Sequence, residues 1–256
     1  VYAIEKNPAA VALLQENKKK FAVDHLEIIE GTAPEALEAL PVPTHAFIGG
    51  SAGNLKEILE RENFSTFSFD YYSADDINPA TGRSSLETAK DAVAKCHDFI
   101  DHFDSTFSNL YLYGDTGIGK TFLSNCIAKE LMDKEYSVLY FSASKFFSSL
   151  AKHAFDKQDV DAQNMFELIY NCDCLIIDDL GTEYTNNFIA SQFFTCINER
   201  LLNSRSTIIS TNLSLDTLAD LYTERSFSRI TSNYIMLKLI GDDIRIKKKL
   251  KNREEN

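Results

Sequence analysis

Short apolar runs alternate with amphipathic stretches along most of the chain. In the second half these runs are NLYLYG near 110, SVLYFS near 138, CLIIDDL near 175, STIISTN near 207 and a weaker YIMLKLI near 235. They are nearly continuous rather than alternating, so each predicts a strand covered on both faces. Helical stretches fill the intervals, and the pattern predicts a parallel sheet layered between helices. Just upstream, Ala89, Val93, Cys96, Phe99 and Ile100 stand at helical spacing and predict a helix from about Ser85 to Phe103. The amino segment alternates in the same way. VYAI predicts a strand, followed by a Pro-initiated helix through about Lys20, a strand over His25 to Ile29 and a loop GTAPEALEAL. A third strand THAFIGG and a helix from about Asn54 complete it. Between the two arrays Phe64 to Tyr72 reads FSTFSFDYY, five aromatics among small polar residues, expected as a linker gripping a surface. A polar stretch with Asn78, Pro79 and Gly82 follows.

Composition narrows the class. A chain of 256 residues with 44% hydrophobic and 25% charged positions is globular, with room for one large domain or two small ones. No apolar stretch is long enough for a membrane span and the amino end lacks the order of a signal peptide, so a cytoplasmic address is expected. The cysteines Cys96, Cys126, Cys172, Cys174 and Cys196 are odd in number, with no CxxC, and are expected as reduced core thiols. His25, His45, His97, His102 and His153 show no ligand spacing, and no histidine metal site is expected. A net charge of -12 excludes a uniformly basic nucleic-acid coat. One basic patch remains, from Arg245 to Arg253, which is either a solvated helix end or a phosphate-contacting tail. Lys18, Lys19 and Lys20 are expected on a wet helix face.

The strongest chemical signal is GDTGIGKT at Gly114 to Thr121, which satisfies G-x-x-x-x-G-K-[ST] directly after an apolar run and directly before a helical one. Such glycines let backbone N–H groups curl around a polyphosphate at a helix amino end. Lys120 is placed to reach the terminal phosphates and the Thr121 hydroxyl to ligate Mg2+. CLIIDDL then ends a buried strand in two acids at the same sheet edge. Asp178 suits a role in holding Mg2+ through water, and Asp179 a role in orienting or deprotonating the attacking water, with Glu183 as the alternative base. Asn212 closes STIISTN, where a polar group can meet a γ-phosphate or the water. ERSFSRI sets Arg225 and Arg229 four apart on one helix face, and GDDIR puts Arg245 at a helix start. Lys145, Phe146 and Phe147 are open to two readings, ordinary helix packing or contact with single-stranded DNA. One of the linker aromatics could likewise stack on adenine instead of packing on the core.

The ordered set GDTGIGKT, LIIDDLG, STIISTN, ERSFSRI and GDDIR resembles the AAA+ ATPases of the bacterial replicative helicase loader family, DnaC/DnaI type, over roughly residues 54 to 252. The DYYS, SNCIAKEL and INERLL stretches add to it. The resemblance implies a three-layer parallel-sheet P-loop domain that binds ATP and Mg2+ and places the replicative helicase on single-stranded DNA. It implies that Gly114, Asp115, Thr116, Gly117, Ile118, Gly119, Lys120, Thr121 and Phe122 contact nucleotide as Walker A. Asp178 and Asp179 are then Walker B, Asn212 sensor 1 and Arg245 sensor 2. Arg229, or Arg225, is the arginine finger, acting in trans in a multimer. The second Walker B acid is Asp rather than the usual Glu, and its shorter reach suits slow, switch-like hydrolysis.

The stretches VYAIEKNPAAVALLQENKKKF, HLEIIEGTAPEAL and PVPTHAFIGGSAGNLKEIL resemble instead the cobalamin-pathway precorrin methyltransferases of CbiT type. There Glu5 would bind the ribose of S-adenosylmethionine. The chain begins beyond that family's first strand and glycine-rich loop, so an incomplete Rossmann-like α/β segment is expected. A loader's helicase-binding amino domain is equally missing, and a join of two unrelated segments is expected within Asn54 to Glu60. The expected organisation is a methyltransferase-like segment over 1–60, an aromatic linker over 61–84 and an AAA+ ATPase domain over 85–256. Other readings are a transposition helper ATPase, a nucleotide-binding remnant that loads nothing, and a methyltransferase fragment.

Overall fold

The computed structural model describes residues 54–79 and 81–254, together with 2–5, 27–30 and positions 11, 12, 14, 15, 18 and 19. Two compact units divide the chain, Val1–Ile58 and Leu59–Asn256. In the first, β1 (Tyr2–Glu5) pairs in parallel with β2 (Glu27–Glu30), Tyr2 opposite Glu27 and Glu5 opposite Glu30. Parallel neighbours need a crossover connection, and positions 11, 12, 14, 15, 18 and 19 within it are helical. The expected loop at 31–40 and strand at 44–50 lie outside the described residues, as do His25 and His45.

Helix α1 (Asn54–Arg61) ends where the Asn63 amide donates to the carbonyls of Glu60 (2.8 Å) and Leu59 (3.2 Å). The Asn63 Oδ1 meanwhile accepts from Ser65 N, starting a short 3-10 turn over Phe64–Thr66. A second such turn covers Phe69–Tyr71. Helix α2 (Ser85–Asp101) opens on a reciprocal cap: Ser84 Oγ accepts from Glu87 N, and Glu87 Oε2 accepts from Ser84 N.

All five apolar runs form strands: β3 (Leu110–Tyr113), β4 (Val138–Ser142), β5 (Cys174–Leu180), β6 (Ser206–Thr211) and β7 (Ile235–Lys238). They build one parallel sheet in the order β4-β5-β6-β3-β7. The helices between them are α3 (Lys120–Asp133), α4 (Ala143–Phe155), α5 (Val160–Asn171), α6 (Asn187–Leu202) and α7 (Leu215–Asn233), with α8 (Ile244–Glu254) after the last strand. Tyr111, Leu175, Ile177 and Ile209 pack with Phe146, Phe147, Phe193 and Ile197 of α4 and α6 in one core, while α3 packs against β5, β6 and α2. Phe146 and Phe147 are therefore core residues, which removes the DNA-stacking reading for them; Lys145 alone of that trio is exposed.

Because β3 lies between β6 and β7 while its chain crosses to the far edge at β4, a crevice opens beyond its carboxyl end. Two irregularities shape this edge. The pairing of β5 with β6 slips between Ile177 and Leu180, so that three residues of β5 pass two of β6, and Asp179 adopts a left-handed φ of 55°. Helix α7 is interrupted at Thr223 (φ 77°, ψ 149°), leaving Arg225 and Arg229 on its second half. At the opposite edge, the fully buried Arg200 of α6 donates to the carbonyls of Ser206 (2.6 Å), Ile169 (2.7 Å) and Cys172 (3.1 Å) and to Thr207 Oγ1 (3.0 Å). The five cysteines are free and buried.

Candidate functional site

The segment after β3 turns on itself through left-handed glycines before α3 begins. At Gly119 (φ 102°), the residue before α3, a Cβ would lie 2.5 Å from the Tyr72 hydroxyl. That hydroxyl donates to Ile118 O at 2.9 Å, so a linker tyrosine rests directly on the loop from 46 positions upstream. At Gly117 (φ 78°) a Cβ would lie 2.2 Å from the Asp243 carboxyl carbon. Both positions therefore need glycine, and the loop curls its backbone N–H groups toward the amino end of α3, an arrangement that attracts phosphate.

Lys120 opens α3 and is 5% exposed. Its ammonium donates to Gly114 O (2.8 Å) and Asp115 O (2.6 Å), holding the charge inside the loop's curve. Burial pulls its pKa down, and the carboxylates of Asp179, Asp115 and Asp178 partly offset that pull. Thr121 Oγ1 donates to Asp178 Oδ1 at 3.2 Å, and Ser210 Oγ donates to the same oxygen. Asp178 is 7% exposed. A hydroxyl and a carboxylate converging beside a phosphate loop are hard oxygen donors, the kind Mg2+ prefers, so Thr121 and Asp178 fit this ion. Asp179 faces the open side. Burial first, then the neighbouring Asp178, hold its carboxyl above the ordinary range, while Lys120 and Arg245 oppose that rise.

These groups surround a cavity of 350 Å³. Thr116, Gly117, Gly119, Lys120, Thr121, Phe122, Asp179, Asn212 and Arg245 line it, with Phe67, Tyr71, Tyr72, Ile244 and Lys248 around the rest. Of the sequence-expected residues, Gly114 and Asp115 contribute the carbonyls that hold Lys120, and the Ile118 side chain is buried beneath the loop. Arg225 and Arg229 are exposed on α7 and do not line the cavity. Glu183 turns back on its own loop, Oε2 accepting from Gly181 N at 3.1 Å, and does not line it either; the acids that line the space are Asp179 and Glu62, the latter accepting from the Asn125 amide at 2.6 Å. Glu5 ends β1. Among the described residues no group of three or more His, Cys, Asp or Glu side chains gathers as a metal site, and the His97 ring packs on Phe64.

Tyr72 and Ser210 have roles here that the sequence does not single out, and two lysines of the basic patch have a role different from those expected. Tyr72 supports the loop. Ser210 touches both acids of β5. Lys247 donates to Tyr71 O at 3.0 Å while Lys248 Nζ stands 5.3 Å over the Tyr71 ring, so part of the basic patch serves to clasp the linker. The side chains of residues 250–254 lie outside the described residues. Among the described residues no helix is long and apolar enough to cross a membrane.

The strand order, the glycine loop between β3 and α3 and the paired acids at the end of β5 define a P-loop nucleotide-binding domain of the AAA+ class. The family of the bacterial DnaA ATPase domain matches residues 82–236, and the chain belongs to that ATPase family. Residues 1–63 match the precorrin methyltransferase domain, in line with the resemblance of the amino segment. The replicative helicase loader DnaI of Bacillus subtilis (strain 168) is 30% identical over 129 residues, which are 49% of this chain and 40% of that protein. The replicative helicase loader DnaC of Escherichia coli (strain K12) is 24% identical over 179 residues, 67% of this chain and 73% of that one. In structure, the crystal structure of DnaI aligns with a TM-score of 0.57 at 23% identity, covering 72% of this chain and 94% of its own. AMPPCP-bound DnaA from Aquifex aeolicus aligns at 0.56 and 22% identity, covering 75% and 55%. This chain thus spans less than half of the B. subtilis DnaI length.

Proposed function

We propose that the Leu59–Asn256 unit binds and hydrolyses ATP with Mg2+ and uses that cycle to load a replicative helicase onto single-stranded DNA. The observation that carries the reading is the convergence of Lys120, Thr121, Asp179, Asn212 and Arg245 on one cavity at the carboxyl edge of the sheet. Lys120 leaves its two loop carbonyls for the terminal phosphates. Thr121 and Asp178 hold Mg2+, which supplies charge neutralisation on the phosphate oxygens when bound. Asp179 orients the attacking water and takes its proton. Its raised proton affinity suits a base working nearer neutrality than a free carboxylate. Asn212 contacts the γ-phosphate or that water, and Arg245 reads the γ-phosphate from its own chain. Arg229, or Arg225, lies outside this cavity and enters a neighbouring copy's site in a multimer.

Asp179 is a short acid pinned to the backbone of β5, and this supports slow, switch-like turnover. The helicase client is supported by the loader relatives, and DNA by the same likeness. For the chain as a whole we read 1–60 as a methyltransferase-like segment, 61–84 as the aromatic linker and 85–256 as the AAA+ domain.

A thermal melt and a loading assay test this. Mg2+ and ATP at about a hundred times the dissociation constant should stabilise the unit by about 2.7 kcal/mol, and Lys120→Ala should abolish the gain. The wild type, and not Lys120→Ala, should transfer replicative helicase onto closed circular single-stranded DNA. Hydrolysis stimulated by a transposase and not by helicase would replace the loader reading with a transposition helper. Stabilisation by S-adenosylmethionine alone would move the function to the amino unit.

A further inference from the structure

Ser210 lies on β6 two residues before Asn212 and is fully buried. A serine hydroxyl has one proton to give and lone pairs to receive. Here the proton goes to Asp178 Oδ1, and Oγ accepts the backbone N–H of Asp179 at 3.0 Å. One side chain thus engages both consecutive acids, one through its carboxylate and the other through its backbone. Both contacts fall inside the bulge where β5 slips against β6. A left-handed φ of 55° is uncommon for a residue other than glycine, and the slip removes the regular ladder partner that Asp179 N–H would otherwise use. The Asp178 oxygen that Ser210 engages is the one that also accepts from Thr121 Oγ1 at 3.2 Å.

We infer that Ser210 is a positioning residue for nucleotide hydrolysis: it aims the Asp178 carboxylate at the Thr121 side of the site and holds Asp179 in the bulged backbone that turns its side chain to the cavity. Ser210 does not line the cavity. Its effect passes entirely through the two acids. The inference rests on the ATPase reading above.

Thr211 supplies the control. It is the next residue of the same bulge, donates to Leu180 O at 2.6 Å and accepts from Leu213 N at 3.0 Å, and has no hydrogen bond to either acid. Ser210→Ala, Thr211→Val and Lys120→Ala are compared with the wild type in the full chain. A fluorescent ATP analogue is titrated in EDTA and across Mg2+ concentrations, and turnover and melting temperature are measured beside it. In Ser210→Ala, affinity in EDTA stays within about twofold and the Mg2+ needed for half of the metal-dependent gain in affinity rises about tenfold. Turnover at saturating Mg2+ and ATP falls about tenfold with KM little changed. Thr211→Val lowers the melting temperature and leaves both the Mg2+ requirement and turnover at wild-type values.

A Ser210→Ala protein with wild-type Mg2+ requirement and turnover overturns the inference. So does a Ser210→Ala protein whose losses match those of Thr211→Val, because that is the behaviour of a purely structural hydroxyl. A wild type that does not bind the analogue, or a Lys120→Ala variant that binds and hydrolyses as the wild type does, overturns the ATPase reading itself and the inference with it. Those two results are separable from the first pair because they appear without any change at Ser210.

Discussion

Gly119→Ala and Tyr72→Phe form a pair whose coupling can be worked out from four distances. Alanine at 119 must hold a φ of 102°, which costs about 1–3 kcal/mol in strain for an L-residue. Its Cβ would also stand 2.5 Å from the Tyr72 hydroxyl oxygen, so the phenol has to leave Ile118 O, to which it donates at 2.9 Å. Leaving that buried hydroxyl unpaired adds about 1–3 kcal/mol. The single Gly119→Ala change therefore costs about 4 kcal/mol, a large share of the 5–15 kcal/mol that holds a typical domain. Tyr72→Phe alone loses one hydrogen bond, about 1 kcal/mol. In the double variant the clashing atom is gone, and the next neighbours of the new Cβ are Ile244 Cδ1 at 3.8 Å and the ring carbon of residue 72 at 3.9 Å, ordinary contacts. The double variant then pays the strain and the lost bond but not the displaced phenol. It should be more stable than the sum of the singles by about 1–2 kcal/mol. Urea denaturation of the four proteins measures this, and at about 2–4 °C per kcal/mol for a unit of this size the coupling is also visible in thermal melts. Strict additivity would refute the close approach of Tyr72 to the loop, and a Gly119→Ala protein as stable as the wild type would refute the left-handed backbone there.

The site's charges and the buried arginine give further expectations. Folding raises the Asp179 carboxyl above its ordinary value of 3.8, so the ionised form penalises the folded state and ligand-free stability falls as pH rises through the raised value. Asp179→Asn escapes that penalty: its melting advantage over the wild type should be small near about pH 4 and full at neutrality, and an advantage that shrinks with rising pH would contradict the sign. Arg200→Met leaves three buried carbonyls without their donor and should cost about 3–5 kcal/mol in urea denaturation, with nucleotide affinity of the folded protein unchanged. Arg229→Ala should bind nucleotide normally and lose about a thousandfold in turnover, while mixing it with inactive Asp179→Asn should restore part of the activity through mixed interfaces. Failure of the mixture to recover would argue against a finger working between copies.

Much of the carboxyl-terminal unit is legible in the chain because its strands are covered on both faces and so read as unbroken apolar runs. The start of α2 is legible for a local reason, since Ser84 and Glu87 stand three apart and cap each other. The phosphate loop and the acids at 178 and 179 announce themselves by spacing and by their place at strand ends. What spacing does not carry is the long-range approach of single atoms. Nothing in FSTFSFDYY distinguishes the tyrosine that bonds to Ile118 from its aromatic neighbours, because that contact depends on the path of the folded linker. Spacing offers Asp179 with Glu183 as an alternative, and only the folded backbone shows where each carboxylate lies, Asp179 at the cavity and Glu183 on its own loop. Lys247 and Lys248 read as part of a charge run, yet the fold uses them one at a time, against a carbonyl and a ring.

The clasp between Tyr71 and Lys247 brings the opening linker of the ATPase unit against its final helix, and both lie beside the phosphate loop, Tyr72 through Ile118 O and α8 through Ile244 N donating to Gly117 O at 2.9 Å. The linker before α2 and the start of α8 are thus both anchored on the rim of the pocket. A displacement of either segment would therefore be felt at the phosphate loop, through Ile118 O on one side and Gly117 O on the other.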